Sequence, residues 1–443
     1  MVLSVQDHVT NDVFAHGAKN MAVRLQALGL NNKPKVILVQ NRTDFMVALY
    51  GSLLAGCDVL LPNDDTPHTL QHLAQDYSGL SYLCNSDGIK AHKNNTDFVL
   101  IPNLQDLICK PSPISPFVNF ADLTATITVF TSGSTGKPVG HKKSVSSFIL
   151  GADHWAQRLN IGNKPAHIVA TVPPQHMYGL ESSIMLPLAH ENISVLDTCP
   201  FYPADIRQAL DLVSENRLLI TTPFHLSILL KSGEDLPPLK AIVCATAPLT
   251  QDLAVQAENR WNAPVVEIFG SSETGMLATR RTAHKKAFSL RSDLTLENKQ
   301  KQNFITGETL DQPVLIADVL TPTHDGFVFE GRGDDLISIA GKRMSLSGLN
   351  AILNMADDVK DGIFHMQDNL TTDQCERLVA LVVAPVGSAQ SIKDFLRTKI
   401  DGIFLPRKII FLSELPRNSS GKITKRSLDD TLAQLKRSQT VLS

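Results

Sequence analysis

The sequence predicts an α/β fold, with a large multi-sheet N-terminal domain and a small α/β C-terminal domain. Two observations carry this reading. Short apolar runs alternate with amphipathic stretches over most of the 443 residues, and such alternation marks α/β architecture. The pattern weakens after residue 280 and restarts beyond an Asp/Gly-rich segment at 325–335. A chain of this length also exceeds what one ordinary core organises.

Taken in order, the run 46–57 is apolar and stops at Asp58. It is too short to span a bilayer and reads as a buried helix leading into a strand at 59–61. Runs at 36–39, 125–130, 167–171, 193–196, 218–220, 241–244 and 265–269 read as strands. Most are apolar on both faces, as in a parallel sheet covered by helices. Ile206, Ala209, Leu210 and Val213 recur at helical spacing, with Asp205 placed to cap. Residues 281–312 read as a surface connection, because 297–303 is polar and weakly periodic. Asp325-Gly326 followed by alternating aromatics predicts a tight hairpin. A helix near 347–356, strands near 362–366 and 377–384, and a helix near 390–400 follow. Asp334 marks the expected boundary between domains 1–333 and 334–443.

Composition excludes several classes. The chain is 43% hydrophobic and 19% charged with a net charge of -3, ordinary for a globular protein. No basic stripe interleaved with aromatics is present, so nucleic acid is not an expected partner. Six cysteines are scattered, without a CxxC pair or a His companion at metal-ligand spacing. They read as free thiols in a reducing cytoplasm. The N-terminus carries Asp7 and no basic patch before an apolar stretch, so neither a signal peptide nor a membrane span is expected.

Two runs carry chemistry. Thr131-Ser132-Gly133-Ser134-Thr135-Gly136-Lys137-Pro138 follows a predicted strand. Its glycines let the backbone approach phosphate oxygens, and its hydroxyls are donors. It is not a Walker A loop, since Lys137 is followed by Pro138. Near the other end, Pro416-Arg417-Asn418-Ser419-Ser420-Gly421-Lys422 puts one cation on a turn. A chain with both is built to bring a lysine onto a nucleotide bound elsewhere.

These runs resemble the adenylate-forming superfamily of acyl- and aryl-CoA synthetases, peptide-synthetase adenylation domains and luciferases. The resemblance continues in order through Ala245-Thr246-Ala247, Phe269-Gly270-Ser271-Ser272-Glu273, Asp318, Gly331-Arg332-Gly333-Asp334 and Gly341-Lys342-Arg343. It implies ATP and Mg²⁺ as cofactors and a small carboxylic acid as substrate. It implies that the C-terminal domain is mobile and that Lys422 bridges acid, α-phosphate and ribose. Glu273 is then the metal residue, Phe269 the adenine platform, Asp318 the ribose acceptor with Arg332 nearby, and Asp334 the hinge. The run 172–180 resembles the family's acid entrance, where His176 orients the acid or gates water. Tyr178, Gly179, Cys244 and Ser271 are candidate pocket walls.

Three departures stand out. Val139 sits where a second phosphate-loop lysine is usual, leaving Lys137, Lys142 or Lys143 to compensate. Gly348 replaces a usual Glu, and the stretch between Glu273 and Asp318 is short. The reduced size resembles stand-alone ligases of aryl-polyene and polyketide pathways. That implies an aromatic acid of hydroxybenzoate or hydroxycinnamate type, transferred to the pantetheine thiol of an acyl carrier protein, with CoA as the other acceptor. A medium-chain fatty acid CoA ligase is the alternative substrate class. A non-catalytic nucleotide-binding protein is the alternative of another kind, though it would be expected to lack Lys422 or Glu273.

Overall fold

The computed structural model describes residues 2–3, 8–9, 11–39, 41–85, 97–102, 104–109, 122–132, 138–299, 302–307, 310, 312–332, 336–339, 342–367, 377–385, 387–417, 423, 427–428 and 430–432. Two large sheets organise its N-terminal part. One has six strands in the order Phe98–Leu100, Ser81–Cys84, Lys35–Leu38, Val59–Leu61, Thr126–Ser132 and Pro138–Ser144. All its pairings are parallel except the last, where Thr126–Ser132 runs against Pro138–Ser144. The other sheet has eleven strands among the described residues. Its parallel centre is Ile193–Leu196, Ala166–Ala170, Arg217–Thr221, Leu239–Cys244 and Val265–Ser271. Antiparallel strands, beginning with Gly275–Arg281, extend it toward Asp318–Thr323.

Every strand read from the sequence between 36 and 269 forms. The apolar-on-both-faces pattern has its cause in the packing. One core cluster takes Ile37, Leu61 and Val129 from the six-stranded sheet and Ile168, Val195, Ile220 and Val243 from the larger one. The helices Asn11–Ala27, Arg42–Leu54 and Val145–Arg158 contribute Met21, Phe45, Leu49, Phe148 and Trp155 to the same cluster. A second cluster covers the other face of the larger sheet with Ile206, Leu210, Leu226, Ala254 and Trp261. Burial of this kind gives about 25 cal/mol per Å² of apolar surface, so the two sheets and their helices behave as one body.

Two local expectations need correction. Asp205 does not cap its helix: Pro203–Asp211 starts at Pro203, with Tyr202 as N-cap, so Asp205 lies inside the first turn. Pro favours the first helical position and draws the start three residues earlier, while Asp205 still faces the positive end of the helix dipole. The stretch 281–312 is not an irregular connection. It contains the strands Ala287–Leu290, Leu294–Lys299 and Gln302–Gly307. Its polarity misleads because the three-stranded sheet with Val314–Ile316 buries only a few side chains, chiefly Leu294, Ile305 and Ile316.

The Asp-Gly hairpin forms as expected, with Asp318–Thr323 paired against Gly326–Arg332. Beyond it, Leu336–Ile339 pairs with Lys342–Ser345. The strands Asp361–Gln367, Arg377–Val383 and Lys408–Phe411 then make a sheet packed with the helices Leu346–Leu353 and Ala389–Lys399. This part has its own core, centred on Leu349, Leu353, Ala380, Ile392 and Leu396. Asp334 lies outside the described residues. No described helix is long and apolar enough to cross a membrane.

Candidate active site

The parallel strands of the larger sheet end at one edge, where an open α/β sheet presents its crevice. Thr171 and Thr221 follow two neighbouring strand ends, and their hydroxyls are 3.0 Å apart. His225, in the first turn of Pro223–Ser232, brings Nδ1 within 2.8 Å of Thr171 Oγ1. Burial pushes this imidazole down to about 4. Tyr178 spans the same edge: its hydroxyl donates to the carbonyls of Thr221 (3.1 Å) and Val243 (2.9 Å). Its ring packs on Trp155, with centroids 6.1 Å apart.

His176 is the N-cap residue of the short helix Met177–Leu180 and is half-buried beside that edge. Gly179 is required by close approach, since a Cβ there would lie 2.0 Å from the Pro173 carbonyl oxygen. Cys244 is fully buried, and burial pushes its thiol well up, with Glu267 adding to the shift. Of the expected pocket residues, His176, Tyr178, Gly179 and Cys244 therefore share one strand-end region.

The loop after Cys244 carries Ala245, Thr246 and Ala247. Ala245 is buried, while the next two are exposed. Thr246 has φ 79°, a strained conformation for a β-branched residue that costs on the order of 1–3 kcal/mol. The surrounding structure holds it there. Glu267, buried on the next strand, accepts from the Leu249 N–H and binds Arg280 and Thr282.

The next strand, Val265–Ser271, ends in the turn that carries Ser272 and Glu273. Thr274 Oγ1 accepts from the Ser271 N–H at 3.1 Å and donates to the Gly275 carbonyl. Gly270 passes so close to this turn that a Cβ would lie 2.2 Å from the Gly275 oxygen. Phe269 sits in an aromatic group with Phe288, Phe327 and Phe329. Register places Asp318 directly opposite Arg332 in the hairpin.

Glu273 is brought to the phosphate-loop strand by a residue the sequence reading did not single out. His141, on Pro138–Ser144, has Nε2 3.1 Å from Thr131 Oγ1 and 3.6 Å from Glu273 Oε1. Burial lowers the His141 pKa, with Glu273 opposing and Lys143 adding to the fall. The Glu273 carboxylate is 47% exposed, so it can reach a ligand in the crevice. The donors here are hard oxygens, which suit Mg²⁺. The Ser132 side chain and residues Gly133, Ser134, Thr135, Gly136 and Lys137 lie outside the described residues. Val139 is exposed.

The C-terminal part reaches the same edge. Arg417 pairs with Asp361 through Nε and Nη2, both at 2.6 Å. Its guanidinium carbon lies 5.1 Å over the Phe224 ring, and Phe224 neighbours His225. Arg417 also bridges to Ile423, so it anchors the two ends of the segment 418–422. Lys422 itself lies outside the described residues. Sequence alone could not have found His141 or His225, whose partners lie 132 and 54 positions away.

Comparison with known proteins identifies the family. The family model for the AMP-binding enzyme matches residues 3–302, and that for the AMP-binding enzyme C-terminal domain matches residues 362–422. The chain belongs to the AMP-binding, adenylate-forming enzyme family. The acid–thiol ligase class expected from the motifs is borne out at that level. Among its relatives, a 2-succinylbenzoate–CoA ligase of Bacillus licheniformis is 22% identical, covering 93% of this chain and 93% of the relative. 4-Coumarate–CoA ligase 1 of Solanum tuberosum is 24% identical, over 94% and 87%. In fold, the chain is similar to the anthranilate CoA ligase AuaEII in complex with anthranoyl-AMP, with TM-score 0.83, 16% identity and coverage of 99% and 94%.

Proposed function

We propose that this enzyme is an ATP-dependent carboxylic acid ligase that forms an acyl-AMP and then a thioester on a pantetheine thiol. One observation carries the reading. Arg417, at the base of the segment bearing Lys422, is seated on Phe224 at the strand-end edge where His176, Tyr178 and His225 gather. That seating favours an approach of the Lys422 segment to a nucleotide held between Thr131, Glu273 and the Ala245–Ala247 loop.

In the first step a carboxylate oxygen of the acid attacks the α-phosphorus of ATP. The bond from that phosphorus to the bridging oxygen breaks, and pyrophosphate leaves. Such a step needs positioning and charge stabilisation more than covalent help. Thr131 and the phosphate loop hold the phosphates, Asp318 the ribose, and Lys422 the shifting negative charge. Glu273 would hold Mg²⁺, which when bound neutralises phosphate oxygens. His176 orients the acid, and Asp334 is the hinge between domains 1–333 and 334–443.

The acid is proposed to be aromatic, of hydroxybenzoate or hydroxycinnamate type. The aromatic ring of Tyr178 and the names of the succinylbenzoate, coumarate and anthranilate ligases support this. Those same names make CoA the first acceptor to test, with an acyl carrier protein as the second. Acid-dependent ATP–pyrophosphate exchange across aryl and aliphatic acids tests the proposal. Exchange with an aryl acid that Lys422→Ala abolishes, while ATP still binds, is the expected result. Exchange unchanged by Lys422→Ala would overturn the assignment.

A further inference from the structure

Glu181 is a buried carboxylate that the reaction above does not use. It opens the π-helical turn Glu181–Met185 and is 8% exposed. Isolated π turns are frequent at functional sites, and an uncompensated buried charge costs several kcal/mol. Here it has specific donors. Oε2 accepts from the Met276 N–H at 3.0 Å and from Trp155 Nε1 at 3.4 Å. Burial raises the Glu181 pKa, while Lys143 and Arg291 oppose that shift.

The other side of Met276 is held as well. Arg291, itself 2% exposed, donates from Nη1 to the Met276 carbonyl at 2.8 Å. Gly275 has φ 70°, and a Cβ there would lie 2.1 Å from Glu181 Oε1. The glutamate therefore fills the space beside Gly275 and grips the peptide that follows it. Three residues before Met276, Glu273 stands exposed at the tip of the turn. The opposite end of the turn is closed by Thr274 on Ser271.

We propose that Glu181 is a positioning residue for Glu273: it fixes the exit of the Ser271–Met276 turn so that the Glu273 carboxylate meets the metal–nucleotide complex at one angle. The functional half of this statement rests on the proposed metal-facing role of Glu273; the clamp itself does not.

Two variants of the full-length enzyme separate the halves. Glu181→Met keeps much of the volume but removes the acceptor, whereas Glu181→Gln keeps an oxygen for the Met276 N–H. Amide hydrogen exchange across 271–276 reads the clamp. Calorimetric titration with ATP, with Mg²⁺ and with EDTA, reads the metal-dependent gain in affinity. Glu181→Met is expected to raise exchange in the turn and reduce the Mg²⁺-dependent gain roughly tenfold, with ATP affinity in EDTA unchanged. Glu181→Gln is expected to restore both to within about twofold. Gly275→Ala, which displaces the carboxylate from the other side, should reproduce the Met variant if the latter fails to fold. Native-like exchange in Glu181→Met, or equal damage in Glu181→Gln, would overturn the proposal. Glu273→Gln is the control. If it keeps the Mg²⁺-dependent gain, the Glu273 reading fails, while the exchange data still decide the clamp.

Discussion

His141 Nε2 stands 3.1 Å from Thr131 Oγ1 and 3.6 Å from Glu273 Oε1, joining the two sheets across the candidate phosphate site. Val139, two residues earlier on the same face of that strand, leaves the usual lysine position apolar. His141 thus supplies the polar link between the phosphate-loop strand and the Glu273 turn. Replacement by Phe keeps an aromatic ring and removes that link. His141→Phe is expected to slow pyrophosphate exchange about fivefold, the value of the one neutral hydrogen bond it makes to Thr131. It should also raise the Mg²⁺ concentration needed for half-maximal exchange. A slower enzyme with an unchanged Mg²⁺ requirement would mean that His141 acts through packing alone.

The strands themselves and the two chemical runs were legible because each depends on local pattern. Val243 and Ile220 sit in strands apolar on both faces, and a parallel sheet requires that. The hairpin at Asp325-Gly326 is a short-range turn signal. What was not legible depends on distance or context. The polar strands Leu294–Lys299 and Gln302–Gly307 hide their periodicity because few of their side chains are buried. His141 looks like any strand histidine until the fold brings Glu273 to it. Glu181 carries no local motif, and its partners Trp155 and Met276 lie 26 and 95 positions away. Asp205 reads as a cap by residue type, but Pro203 starts the helix ahead of it.

His225 makes stability depend on pH. Burial lowers its pKa from 6.5 to about 4, so the folded state disfavours the protonated ring. The unfolded chain takes up a proton below pH 6.5, whereas the folded chain resists until about pH 4. Stability from this group is complete above 6.5 and is lost as pH falls through that window. The loss reaches on the order of 3 kcal/mol. His225→Asn retains a polar group for Thr171 and cannot titrate. Urea unfolding at pH 7.5 and pH 5 should show a smaller difference in the variant than in the parent. Equal differences would place the proton uptake elsewhere.

Lys231 controls how the C-terminal part rests on the larger sheet. Its ammonium donates to the carbonyls of Asn354 (2.9 Å), Ala356 (3.2 Å) and Val359 (2.7 Å), all just beyond the helix Leu346–Leu353. Carbonyls at a helix C-terminus carry the negative end of its dipole and favour a cation. Lys399 with Asp252, Thr250 with Met355 and Arg417 over Phe224 add to the contact. The Lys399 pair is partly exposed on both sides, so it contributes at most about 1 kcal/mol. Lys231 is more enclosed, and burial lowers its pKa with Asp357 opposing. Lys231→Met keeps the apolar stem and leaves three carbonyls without their donor, a loss of roughly 2 kcal/mol. Calorimetry should then resolve a lower-melting transition for the C-terminal part, whose core is separate. Lys399→Ala should leave the transitions nearly as in the parent. One unchanged transition in Lys231→Met would show that the two parts are held by their other contacts, Arg417 over Phe224 among them, and not by this cation.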